Sequence, residues 1–356
     1  MSTFLEANVG LLARKKHQEK LKHVNACLLS ESQYQKSAGF DEIDLVNQSA
    51  AGLDLDGVSL STTFLGKDLR APLMIAPMTG GTELGATLNR RWAQACEHFG
   101  LGLGIGSQRL ALIKKDVEES FMVRKYAPTA LLFSNIGVAQ LLEEGASDLA
   151  LRAVGMIEAD ALFIHLNPLQ EACKHGGDKS FVGLLRSIEG VVHALRKRGI
   201  KVLVREVGFG LSEEAARSLM ATGIDGLDCA GAGGTSWTKV EAMCSVNDRY
   251  RRLAMAFKEW GIPTARSILN VRQVDKTIPL IATGGIRSGL DIAKAIALGA
   301  DMAAIAQPIL IAALKGQQEF FDYIDEILLE LRVAMYASGA TDVDGLKGKA
   351  IQSTRT

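Results

Sequence analysis

The chain has 356 residues, a formal net charge of zero, 47% hydrophobic and 22% charged residues, which is enough to bury a large core. Neutrality excludes the surplus of Lys and Arg that a nucleic-acid or membrane-surface partner usually needs, and no apolar run approaches the roughly 18 residues of a membrane span. No apolar signal-peptide core precedes the charge between Arg14 and Lys22, so a soluble, cytoplasmic protein is the expectation.

In chain order, residues 1–70 read as an N-terminal arm and cap, with a charged helical stretch, Leu11 to Leu29, and then turn signals at Gly39, Gly52 and Gly66. From about residue 72, short apolar runs alternate with amphipathic stretches, the pattern of repeated βα units. Eight runs are present: Leu73 to Pro77, Leu101 to Gly106, Ala130 to Asn135, Ala161 to Asn167, Lys201 to Val207, Gly223 to Cys229, Pro279 to Thr283 and Met302 to Ala306. Helix-like stretches follow several of them, such as Ala86 to Phe99, Phe181 to Arg198, Ser212 to Ala221 and Leu290 to Leu298. Eight parallel strands predict a closed α/β barrel, the (β/α)8 TIM barrel, over 71–340. An open doubly wound sheet would carry a Gly-x-Gly-x-x-Gly turn after its first strand, which Met78-Thr79-Gly80-Gly81 does not supply. No linker or low-complexity tract divides the chain in two. Phe320 to Ala337 reads as a closing amphipathic helix, and the polar tail, 341–356, is expected to end in disorder. The five cysteines, Cys27, Cys96, Cys173, Cys229 and Cys244, odd in number and without CxxC spacing, read as reduced thiols rather than a disulfide framework or zinc site.

Chemistry in such a barrel collects where strands end and βα loops begin. The seventh run passes into Gly284-Gly285-Ile286-Arg287-Ser288-Gly289 and a helix; paired glycines let backbone amides approach an anion, and Arg287 and the helix N-terminus add positive potential. The eighth ends at Ala306-Gln307-Pro308, where Pro308 suits the first turn of another helix. Together these ends predict a phosphate cradle, open to a sugar phosphate, FMN or a nucleotide.

Five further strand ends carry a resemblance. Ala76-Pro77-Met78-Thr79-Gly80-Gly81, Gly104-Ile105-Gly106-Ser107-Gln108-Arg109, His165-Leu166-Asn167-Pro168-Leu169-Gln170-Glu171, Glu206-Val207-Gly208-Phe209-Gly210 and Gly231-Ala232-Gly233-Gly234-Thr235-Ser236-Trp237 are similar to the motifs of type 2 isopentenyl diphosphate isomerases, in the same order and over nearly the whole chain. The resemblance implies FMN across the barrel mouth at Met78, Thr79, Gly80, Ser107, Asn135, Arg205, Thr235, Gly284, Gly285, Arg287, Ala306 and Gln307. It implies a small-molecule diphosphate substrate at Lys20, His23, Ser107, Arg109, Asn167 and Gln170, with Mg2+ on Glu171, an ion that seldom needs an all-protein cage. Gln170, Glu171 and Arg205 are the implied catalytic residues, Arg205 facing the flavin pyrimidine edge. Reduced FMN is implied as the acid and base, NADPH only as its reductant, and the assembly as a homo-oligomer of four or eight chains.

Four positions depart from the family pattern. Glu19 stands where the pattern has Arg, Arg205 where it has Lys, Ala230 where a hydroxyl is frequent and Gly176 where it has Glu. A carboxylate beside a diphosphate costs affinity unless a cation such as Arg14, Lys15, Lys16 or Lys22 compensates, and Arg is not interchangeable with Lys beside a flavin. Two alternatives stay open: an FMN-dependent 2-hydroxy acid oxidoreductase, which would be expected to carry a base His beside strand six or seven, and a catalytically impaired flavin-binding homologue. A nucleotide dehydrogenase would need a nucleophilic Cys in a loop, whereas Cys229 is expected inside strand six.

Overall fold

The computed structural model describes residues 18–352. Eight strands form the barrel: β1 (Leu73–Ile75), β2 (Gly102–Gly104), β3 (Leu131–Gly137), β4 (Ala161–Leu166), β5 (Lys201–Glu206), β6 (Gly226–Asp228), β7 (Leu280–Thr283) and β8 (Met302–Ile305). Each runs parallel to its neighbours, and β8 closes on β1 through Ala303–Leu73, Ala304–Met74 and Ile305–Ile75. The strands read as apolar runs rather than alternations because helices cover one face and the barrel interior the other; every residue of β3 is buried. Met74, Phe133, Phe163, Leu203, Ile281 and Met302 fill the interior, with the Phe133 and Phe163 rings stacked at 4.4 Å. The barrel is therefore a packed core with its chemistry at one rim.

The opposite end is sealed by an antiparallel hairpin, Thr62–Phe64 and Lys67–Leu69. Its two-residue turn puts Leu65 at φ 52° and Gly66 at φ 82°, the left-handed pair that matches strand twist. Phe64 and Leu69 join the interior cluster, and Lys67 reaches Asp160 and the Ala130 carbonyl, just before β4 and β3.

The expected helices are present as Glu83–Phe99, Leu184–Arg196, Glu213–Met220 and Gly289–Ala297. The N-terminal helix is seen at 18–27, while its expected start, with Arg14, Lys15 and Lys16, lies outside the described residues. Three helices between β6 and β7, Trp237–Cys244, Asp248–Ala256 and Thr264–Val274, belong to an insertion that the run-and-helix pattern passes over. Strand six is shorter than expected. It ends at Asp228, so Cys229 lies just beyond it, wholly buried, with its thiol pushed up to about 12 by burial first and then by Asp228.

The tail is ordered as far as Gln352, against the expected disorder, and its last four residues lie outside the described residues. Ala350–Gln352 pairs antiparallel with Ile43–Leu45, and Val343 and Leu346 are buried in the main core. The closing helix, Gln317–Ala337, lies against Gly289–Ala297 so closely that a Cβ on Gly289 would sit 2.3 Å from the Ile327 carbonyl oxygen and the Leu331 nitrogen.

Candidate active site

A cleft with a cavity volume of about 310 Å³ opens at the strand C-termini. Seventeen of the eighteen residues expected at the site line it; Gly80 stands just behind the wall, where an added Cβ would lie 2.2 Å from the Phe121 ring. The carbonyl of Gly80 instead accepts from Lys20 Nζ at 2.8 Å, as does that of Ser107 at 3.0 Å. These two bonds bring the N-terminal helix down onto the ends of β1 and β2.

At the β7 and β8 side, amides are arranged for an anion. Gly284 and Gly285 sit at φ 103° and 71°, conformations open to glycine, and the amides of Gly284, Gly285 and Ile286 donate no backbone hydrogen bond among the described residues. The following helix contributes less than expected, since Ser288 Oγ accepts from Asp291 N, Asp291 from Arg287 N, and Glu330 from Gly289 N. The helix Gln307–Lys315 has no side-chain cap and carries Pro308 in its first turn, so its N-terminus keeps its field for a ligand. Above these amides, Arg287 donates to Gln33 Oε1 at 3.1 Å and to Gln307 Oε1 at 3.4 Å, and Gln33 Nε2 donates to Thr235 Oγ1 at 3.1 Å. Gln33 was not expected here. It arrives through a bridge to Thr235 and a bond from Tyr34 N to the Gly234 carbonyl, a pairing with no local sequence signal.

Beneath the mouth, Arg205 is almost wholly buried, 3.5 Å from Asp228 Oδ2 and 5.6 Å above the Phe163 ring. Burial lowers its affinity for a proton, against the pull of Asp228 and Glu206, while burial raises the Asp228 carboxyl despite Arg205. His165 Nδ1 lies 2.8 Å from Asn135 Oδ1. The ring is pushed down to about 3 by burial first, then by Arg205, Arg109 and Lys20. It is neutral at physiological pH, so Nδ1 donates to the amide oxygen and Nε2 is left as an acceptor.

The opposite side of the cleft holds carboxylates among cations. Glu171 accepts from Asn167 Nδ2 at 3.1 Å and Asp178 N at 3.0 Å. Gln170 Nε2 donates to Glu241 Oε1 at 2.7 Å, and His23 Nε2 lies 3.4 Å from the same oxygen, its ring edge-on to Trp237. Burial raises the Glu241 carboxyl, but His23, Gln170 and Lys174 outweigh it and hold the group low. Arg109 faces Asp178 at 3.5 Å, and Glu19 pairs with Lys174. Glu241 and Lys174 were missed in the sequence; a carboxylate between Val240 and Ala242 in a helix was the one available hint.

The donors fit an FMN: unspent amides, Arg287 and an uncapped helix for its phosphate, Thr235, Asn135 and Ser107 for polar edges, and Met78 for a flat apolar ring. Glu171, oriented by Asn167 Nδ2 and Asp178 N, is a lone carboxylate with lone pairs to spare, a donor that suits a hydrated Mg2+ shared with substrate oxygens. A barrel with an anion cradle on β7 and β8 and an uncharged ring seat beside it defines a flavin-type (β/α)8 enzyme.

The family profile of FMN-dependent dehydrogenases matches residues 14–152 and 189–353. Solved structures agree at the level of fold: a Pediococcus acidilactici lactate oxidase (TM-score 0.66, 14% identity, 97% of this chain and 94% of that one) and a mandelate oxidase with an FMN adduct (TM-score 0.60, 17% identity, 92% and 91%). Isopentenyl-diphosphate delta-isomerases are far nearer in sequence. That of Nostoc is 43% identical over 92% of this chain and 93% of its own length, and that of Xanthobacter autotrophicus 44% over 87% and 90%. That of Methanothermobacter thermautotrophicus is 42% identical over 92% and 90%. The chain belongs to the isopentenyl-diphosphate delta-isomerase family, within the FMN-dependent dehydrogenase fold, and is an enzyme.

Proposed function

We propose that the chain converts isopentenyl diphosphate to dimethylallyl diphosphate with reduced FMN and Mg2+, NADPH serving to reduce the flavin, as a cytoplasmic step of isoprenoid biosynthesis. One observation carries the reading: an anion cradle at β7 and β8 and a second, metal-suited polar cluster at Gln170 and Glu171 face each other across one cleft. Two phosphate-bearing groups, one cofactor and one substrate, account for both. No helix among the described residues is long and apolar enough to cross a membrane.

Bound FMN, once reduced, supplies the proton donor and acceptor that an unactivated alkene requires. The residues of the chain do the rest. Glu171, fixed by Asn167 and the Asp178 amide, would hold Mg2+ through its remaining lone pairs, and Lys20 and Arg109 would add positive charge around the diphosphate, with His23 as a polar contact beside them. That remote binding energy holds the five-carbon tail against Met78 and the ring seat, away from water that would capture a cationic species. Arg205, charged and buried, balances negative charge on the flavin side, though Asp228 at 3.5 Å shares it. The oxidase reading lacks its expected base: the segment after β6, Cys229-Ala230-Gly231-Ala232-Gly233-Gly234, has no His, and His165 is committed through Nδ1 to Asn135. Assembly as a tetramer or octamer belongs to the same reading, with the exposed Val246 and Trp260 as available apolar surface.

Anaerobic incubation with isopentenyl diphosphate, Mg2+, FMN and NADPH tests the proposal. Formation of the allylic isomer supports it, bound FMN without isomer reduces the protein to a flavin-binding homologue, and failure to take up FMN removes the site altogether. Glu171→Gln is expected to retain FMN and lose turnover by about a hundredfold or more, the scale of removing one preorganised electrostatic group. Unchanged turnover would take Glu171 out of the mechanism.

A further inference from the structure

Glu19 occupies the wall where a diphosphate is proposed to sit, and a carboxylate there opposes the ligand. Its close partner is Lys174, in the turn that follows the helix Pro168–Cys173, with His23 Nε2 more distant at 4.0 Å. We propose that Lys174 is a diphosphate-binding cation of this enzyme and that Glu19 is the positioning residue that holds its ammonium at the cleft wall between turnovers. The assignment rests on the proposed function and adds a residue to its substrate site.

Both residues line the cleft, and their side chains are 27% and 31% exposed. The turn that carries Lys174 is the one that carries Glu171: Lys174 N donates to the Glu171 carbonyl at 3.3 Å, and Gly177 N to the Lys174 carbonyl at 3.2 Å. Lys179 Nζ then binds the carbonyls of Glu171, Ala172 and Lys174 at 3.0, 2.8 and 3.2 Å. Cation and metal carboxylate are thus mounted on one braced turn, and a diphosphate that reaches Glu171 through Mg2+ passes within reach of a flexible lysine stem.

Charge makes the same point. Glu19, Glu171 and Asp178 line this wall and Glu241 stands behind Gln170, so Lys174 offsets carboxylates that an incoming diphosphate must meet beside Lys20 and Arg109. The simpler account makes Glu19–Lys174 a strut that fastens the N-terminal helix. A half-buried pair whose charged ends still reach solvent is a modest strut, and the helix is already fastened by Lys20 to the carbonyls of Gly80 and Ser107 and, from Gln307 Nε2, by a bond to the Cys27 carbonyl. A compact ammonium on a four-carbon stem can exchange a carboxylate oxygen for a phosphate oxygen without moving the backbone.

Calorimetric titration of the FMN-loaded protein with inorganic diphosphate in the presence of Mg2+, alongside KM for isopentenyl diphosphate, tests this. Lys174→Met is expected to keep the parent FMN content and weaken diphosphate binding about tenfold or more, with KM rising in step, while Lys174→Arg stays within about threefold of the parent. Glu19→Gln is expected to bind diphosphate as tightly as the parent or more tightly, since a competing carboxylate is gone. Lys174→Met binding diphosphate as well as the parent overturns the assignment, as does equal weakening by Glu19→Gln and Lys174→Met, the signature of a strut. A parent that binds no diphosphate overturns the substrate site itself and this assignment with it, whereas the first two results leave that site standing.

Discussion

His165 is kept neutral by its surroundings, and that has a cost in acid. Buried and facing Arg205, Arg109 and Lys20, the ring is pushed down to about 3 in the folded chain, against about 6.5 unfolded. Between those values the unfolded chain binds a proton that the native chain does not. Stability is therefore fully present above about pH 6.5 and falls as pH drops through that window, by up to about 1.4 kcal/mol per pH unit for this one group. His165→Gln keeps a donor for Asn135 and removes the titration. Urea unfolding at about pH 7.5 and pH 5.5 should show a difference smaller by about 1 kcal/mol in the variant, and identical pH dependence would sink the idea. Residues of this kind were legible because His165, Asn167, Gln170 and Glu171 stand in one contiguous stretch. The Glu19–Lys174 pair was not, because an ion pair between a helix and a distant turn leaves no local trace; compensation was sought in neighbouring cations instead.

Strands were the most readable elements because burial on both faces makes each an apolar run with turn residues at its ends, as at Leu280-Ile281-Ala282-Thr283 before Gly284. Their ends were less readable: Gly223 and Cys229 fall outside β6 since a turn at φ 79° and a buried crossing residue look the same in composition as strand. The three-residue pairing of Ile43–Leu45 with Ala350–Gln352 was invisible, as short antiparallel edges are set by what the rest of the fold brings together. Helix contacts can be tested at Gly289. A methyl there would meet the backbone of the closing helix at 2.3 Å, which no rotamer change relieves, so Gly289→Ala should force the helices apart and cost about 1–3 kcal/mol. The Gly284 to Arg287 loop enters that helix, so FMN affinity should fall with the melting temperature. An unchanged melting temperature would show that the crossing yields more easily than the contact implies.

Across the whole molecule, the proposed flavin and substrate sites draw mostly on different elements. The cradle lies just past β7 and β8, at Gly284, Gly285, Arg287 and Gln307, whereas the wall proposed for the diphosphate draws on the helix at 18–27, the turn after β4 and the helix Trp237–Cys244. Such a division lets one barrel rim serve as a flavin seat while outer pieces decide what is bound against it, since function is set by sites mounted on a fold. The two functions should therefore separate on mutation. Arg287→Ala is expected to weaken FMN binding about tenfold, since it loses a guanidinium beside the phosphate cradle, and to spare inorganic diphosphate binding once FMN is saturating. His23→Ala is expected to do the reverse, retaining FMN while weakening Mg2+-diphosphate by a similar factor, because it leaves Glu241 behind the substrate wall with Gln170 but without the His23 ring. Fluorescence titration of FMN and calorimetry with diphosphate on both variants would read this crossover. If each variant loses both ligands together, the cleft acts as one cooperative unit, and the separation between barrel rim and outer wall is wrong.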